Sequence, residues 1–212
     1  MPLFDKDGHK VHYIHVPRTG GRYVSKLFEY NKFNTRHSTL NVNDNFDGIL
    51  CIHFYYPLYK MFEDYDERVE FCIIRNPFDK FISSITHMSN YFSRDYNFII
   101  KNQEIFDNFI MNEICQGSRH NSWFLEQHKF VSEKTKVWKY EDGFGKKFVK
   151  WIDKNFSIKL DIPNRVSYDQ NLWSSYNENV STKKYKFNNM FLARKRVKNF
   201  YKKDYEIFKY WY

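Results

Sequence analysis

The chain has 212 residues, long enough for one domain over 1–212 to bury a sizeable core without disulfide or metal support. No apolar run approaches the roughly 20 residues that span a bilayer, no signal-like segment opens the chain, and Cys51, Cys72 and Cys115 lack metal-ligand spacing, so a cytoplasmic protein with reduced thiols is expected. A formal charge of +9, from 34 Lys plus Arg against 25 Asp plus Glu, attracts anions without choosing among nucleotide, nucleic acid, anionic glycan and membrane surface.

In chain order, residues 10 to 16 (KVHYIHV) alternate as a strand, and residues 22 to 31 (RYVSKLFEYN) put Tyr23, Val24, Leu27 and Phe28 on one helical stripe. The polar stretch that follows is expected to hold one short strand. A second clear strand is predicted at 48 to 54 (GILCIHF) and a third at 68 to 75 (RVEFCIIR), whose unbroken apolar run suits a parallel strand covered on both faces. Residues 76 to 92 read as a helix, with Asn76 as its cap and Pro77 in its first turn. Helical periods recur at 105 to 114, 118 to 130 and 144 to 156, a strand is predicted at 134 to 142, and residues 189 to 212 close the chain as one or two helices. Strands alternating with helices predict an α/β fold, a mostly parallel central sheet flanked by helices.

Ligands of such sheets bind outside the carboxyl ends of the strands. The first of these ends carries HVPRTGG. Gly20 and Gly21 allow close backbone approach, the following helix offers unpaired N–H groups and its positive dipole end, and Arg18 and Thr19 add a charge and a hydroxyl donor. A tight turn that happens to hold two glycines reads the same residues equally well, and Walker spacing is absent. At a later end, Arg75 closes an apolar strand and Ser83 follows eight residues on, about two helical turns away, so both can converge on one anion. A capped corner with a surface salt bridge is the plain alternative. Two anion-ready ends in one sheet suggest a ligand with two phosphate groups.

HVPRTGG and IIRNPFDKFISS resemble, in order, the two cofactor signatures of sulfotransferases, in particular the carbohydrate 2-O and 6-O type. CIHFYY, VWKYED and the closing YKKDYEIFKY (201 to 210) extend the resemblance over essentially the whole chain. It implies a P-loop-like architecture and 3'-phosphoadenosine 5'-phosphosulfate as donor, with no metal. The 5'-phosphosulfate would rest on Arg18, Thr19, Gly20 and Gly21, and the 3'-phosphate on Arg75 and Ser83. Arg18 would also stabilise charge on the leaving phosphate, and His53 would take the proton of an acceptor hydroxyl, on a saccharide or glycoconjugate. His87, one turn beyond Ser83, would approach the acceptor. The chain departs from the pattern at Arg18, where the family usually has lysine, at Arg22 and Tyr23, which replace a Thr-Ser pair, and at Lys80, which replaces the second arginine. Arg22 either restores a lost contact to the donor or is a solvated first-turn residue.

Arg165, Ser167 and Tyr168 lie in a loop that could close over the donor. The basic run 194 to 203 interleaves cations with aromatics, but Val197, Phe200 and Tyr201 form a stripe at helical spacing, which favours a solvated amphipathic helix over nucleic-acid binding. The competing function is a nucleotide- or RNA-binding protein of the same fold without catalysis.

Overall fold

The computed structural model describes residues 2–37, 45–46, 49–50, 55–56, 58–61, 64–115, 121–163 and 184–210. Strands β1 (Leu3–Lys6) and β2 (His9–Ile14) form a hairpin across Asp7 and Gly8, whose φ values of 49° and 83° are the paired positive values of a tight two-residue turn. β3 (Asn34–Arg36) pairs antiparallel with the outer edge of β1. β4 (Asn45–Phe46) and β5 (Ile49–Leu50) form a separate antiparallel hairpin. β6 (Val69–Ile74) runs parallel to β2, and β7 (Lys136–Lys139) runs parallel to β6.

The main sheet therefore has the order β3-β1-β2-β6-β7 and is mixed, which corrects the mostly parallel sheet expected from the sequence. The cause is local. Asp7-Gly8 folds the chain back at once, so the first strand pairs with its neighbour in sequence and pushes the edge of the sheet outward. The strand expected at 48 to 54 is described only at Ile49–Leu50, in the small hairpin.

Strand alternation divides the core between the two faces of the sheet. Val11, Tyr13, Phe71 and Ile73 face α1 (Gly21–Tyr30) and α4 (Lys146–Phe156), where Val24, Leu27, Phe28, Phe148 and Ile152 complete an aromatic-rich layer. Ile14, Cys72 and Ile74 face the other way, against α2 (Pro77–Phe92), α3 (Gln103–Cys115) and α5 (Met190–Phe200), with α6 (Lys202–Ile207) closing that side. No helix among the described residues is long and apolar enough to cross a membrane.

Of the helix expected over 118 to 130, the described part, 121 to 130, forms two single 3-10 turns instead, Asn121–Trp123 and Gln127–Phe130. Four of its backbone polar groups are taken by remote side chains. Lys80 Nζ donates to the carbonyls of Trp123 (2.6 Å) and Leu125 (3.1 Å), while Asp204 accepts from the N–H groups of Gln127 (2.8 Å) and His128 (2.9 Å). An α-helix would need those same groups internally.

Candidate anion site at the strand ends

The parallel strands β2, β6 and β7 all end at one edge of the sheet, and each hands over there to a loop and a helix: α1, α2 and α4. In the first loop Arg18 takes φ 66° and Gly20 φ 92°. A left-handed non-glycine residue is a strained choice that packing must enforce. Thr19 supplies part of that enforcement: it is buried, and its hydroxyl donates to the carbonyl of Val16 at 2.7 Å. The hydroxyl proton assigned to phosphate from the sequence is thus committed to closing the turn.

Both glycines make room for protein side chains. A Cβ on Gly20 would fall 2.7 Å from Cζ of Phe144, and one on Gly21 would fall 1.9 Å from Nε2 of His15. The His15 imidazole therefore lies directly against the first residue of α1, and Gly20, which precedes it, offers no side-chain cap. The first turn of α1 holds no acidic residue, which leaves its positive dipole end without a local counter-charge.

The two strand-end motifs meet. Arg18 Nε donates to Ser83 Oγ at 3.2 Å, and Arg75 Nη1 donates to the carbonyl oxygen of Arg18 at 3.3 Å. The guanidinium of Arg18 lies over the Trp123 ring (5.6 Å to the centroid) and that of Arg75 over the Tyr140 ring (4.5 Å). Burial, then the charges of Arg75 and Arg22, lower Arg18 to about 10, against a smaller opposite effect of Tyr140. Among the described residues no carboxylate forms an ion pair with Arg18, Arg22 or Arg75. Among the described residues the charges of Arg75 and Arg22 thus oppose that of Arg18, and an anion bound beside Arg18 and Arg75 would reverse that sign.

Other predicted residues have different placements. Arg22 is exposed at the start of α1. Tyr23 joins α1 to α4, since its hydroxyl accepts from the N–H of Gly145 (3.2 Å) and its ring meets Phe144 at 4.6 Å. The His87 ring lies 4.9 Å from Trp123, the ring over which the Arg18 guanidinium also lies. His53, Arg165, Ser167 and Tyr168 lie outside the described residues. No family model, curated protein or solved structure matches the chain.

What the site can do therefore follows from its own side chains. Lys80, which stands where the resemblance has the second arginine of its second signature, is buried on α2 with its ammonium on the carbonyls of Trp123 and Leu125. It holds the backbone at Trp123 and Leu125, so its ammonium is spent there and not on the Arg18 loop. Burial pulls Lys80 down to about 8, against the weaker upward pull of Asp204 and Glu126. Between about pH 8 and pH 10 the unfolded chain holds a proton that the folded chain has released, so this group adds stability as the pH rises. The difference in urea midpoint between the parent protein and Lys80→Met is expected to grow in favour of the parent across that window; a flat difference contradicts the assignment.

The two cofactor signatures did not contain Trp123, Tyr140 or Gln127; Tyr140 entered only through VWKYED, with no role assigned to it. Trp123 and Tyr140 supply aromatic faces from other loops, and nothing in their local sequence ties them to Arg18 or Arg75. A shallow recess of about 400 Å³ sits at the opposite pole, around the Asp7-Gly8 turn. Its arginines are already paired, since Arg68 and Arg36 share Asp5 and Asp64, and its Lys10 pairs with Glu67. It therefore lacks the uncompensated charge that marks the strand-end site.

Proposed function

We propose that the strand-end site binds 3'-phosphoadenosine 5'-phosphosulfate and that the protein transfers its sulfonate group to an acceptor hydroxyl, on a saccharide or glycoconjugate, in the cytoplasm. The observation that supports this reading is the meeting of Arg18, Ser83 and Arg75, from two strand-end motifs, with no carboxylate paired to either arginine among the described residues. A ligand with phosphate groups at two ends uses both loops, and its base can lie against an aromatic face such as Trp123 or Tyr140.

In this reading Arg18 and the N-terminus of α1 hold the phosphosulfate and take up the charge that builds on the leaving phosphate, while Arg75 and Ser83 hold the 3'-phosphate. His53 accepts the proton of the attacking hydroxyl. As the acceptor oxygen bonds to sulfur, the bond from sulfur to the bridging phosphate oxygen breaks. The chemistry calls for no metal step and no nucleic-acid partner.

A second reading, nucleotide binding without transfer, is favoured by the commitment of the Thr19 hydroxyl to Val16 and by the use of both glycines for protein packing. Incubation with donor labelled in its sulfonate group separates the two. Label is expected to move onto a saccharide pool and to stop moving in His53→Ala, by the 100-fold to 10,000-fold typical of losing a general base. Tight nucleotide binding with no label transferred to saccharide, lipid or peptide pools contradicts the enzyme reading.

A further inference from the structure

We infer that Gln127 is a positioning residue for Arg75, held in register by Asp204 of the C-terminal helix α6; the inference deepens the proposed function and rests on Arg75 gripping an anion. The β6 ladder ends at the pair Ile74 and Lys139, so the N–H and C=O of Arg75 lie one residue past the last paired position. Gln127 supplies what a further strand would have supplied. Its Oε1 accepts from the Arg75 N–H at 2.9 Å and its Nε2 donates to the Arg75 carbonyl at 2.7 Å.

Only an amide side chain offers one donor and one acceptor in that arrangement. Gln127 is fully buried, so neither group has water as an alternative, and loss of either bond strands a polar group. Asp204, also fully buried, fixes Gln127 from behind: Oδ2 accepts from the Gln127 N–H (2.8 Å), and Oδ1 accepts from the His128 N–H (2.9 Å) and meets His128 Nδ1 (2.9 Å).

The next residue is held in the same manner. The Asn76 N–H donates to Glu141 Oε1 at 2.7 Å, and the Tyr210 hydroxyl donates to Glu141 Oε2 at 2.8 Å. Both backbone units at the β6 tip are thus gripped by side chains whose far ends are tied to residues 204 and 210. The result is a fixed direction for the Arg75 side chain, toward the Arg18 carbonyl and the Tyr140 ring. The backbone at the β6 tip is therefore held in part by Asp204 of α6 and by Tyr210 just beyond it.

A double-mutant cycle with inorganic pyrophosphate as the probe, combined with amide hydrogen exchange, tests this. In Gln127→Met, exchange protection of the Arg75 amide is expected to fall tenfold or more while Phe71 and Ile73 keep theirs. Pyrophosphate affinity should fall about tenfold in the parent background and less than twofold in an Arg75→Ala background. A merely structural role predicts the same factor in both backgrounds, and that result, or an Arg75 amide as protected as in the parent, overturns the inference. If Gln127→Met does not fold, Asp204→Asn, which keeps the shape and loses one acceptor, is read by the same criteria. Pyrophosphate binding without binding of adenosine 3',5'-bisphosphate sinks the donor reading and leaves this one standing; no pyrophosphate binding by the parent protein sinks both.

Discussion

Gly21→Ala is expected to destabilise the protein by about 2 to 3 kcal/mol, the upper part of the range for overpacking a filled site. The added Cβ would sit 1.9 Å from His15 Nε2, far inside contact distance, so the imidazole must leave its place. It has little room to do so: it stacks on Tyr13 at 5.6 Å between centroids, and Tyr13 is itself fully buried against Phe71 at 5.0 Å. Thermal unfolding of Gly21→Ala, His15→Ala and the double variant checks the cause. The double variant should be no less stable than His15→Ala alone, because the clash disappears with the ring. Full additivity of the two losses would show that Gly21 is required for another reason.

Arg18→Gln is expected to weaken binding of adenosine 3',5'-bisphosphate by about 10-fold to 150-fold, since hydrogen bonds to charged groups are worth roughly 1.5 to 3 kcal/mol. Its effect on the ligand-free protein should have the opposite sign. Arg18 is held in a left-handed conformation, is pulled down to about 10 by burial and by Arg75 and Arg22, and has no carboxylate partner among the described residues. Its charge is therefore a cost to the empty fold at neutral pH. Removing that charge should leave the melting temperature unchanged or raise it, while the shift produced by bisphosphate is lost. Arg18→Lys keeps the charge but gives up the Nε bond to Ser83 and the planar contact with Trp123, so it should fall between the two. A large stability loss in Arg18→Gln would mean that the side chain serves the fold and not an anion.

The sequence carried the α/β class and the helices nearest the site because their signals are local. Asn76 and Pro77 announce α2: the Asn76 side chain accepts from the N–H groups of Phe78 (3.0 Å) and Asp79 (3.4 Å), as a cap should. The Tyr23, Val24, Leu27 and Phe28 stripe likewise announces α1, apart from Tyr23, which turns to α4. The mixed sheet was legible in Asp7-Gly8, but Leu3–Lys6 is too short to show alternation and so drew no strand.

The segment from 118 to 130 misled for a different reason. Its apolar spacing is helical, yet Lys80 and Asp204, distant in sequence, compete for its backbone groups and win. The convergence of Arg18 with Ser83 follows from two strand ends lying side by side, which residue order suggests. That Arg75 is steered by Gln127, and that Lys80 is buried under Trp123, depends on contacts between loops that no local motif encodes.

The central claim is that two strand-end loops form one site for a ligand carrying phosphate at two positions. Isothermal calorimetry of the parent protein with adenosine 3',5'-bisphosphate and with adenosine 5'-monophosphate tests it most directly. Saturable binding of the bisphosphate at least about tenfold tighter than the monophosphate is predicted, because the second phosphate gains the charge-assisted hydrogen bonds of Arg75 and Ser83. Equal affinity for the two nucleotides, or no binding of the bisphosphate, would contradict it.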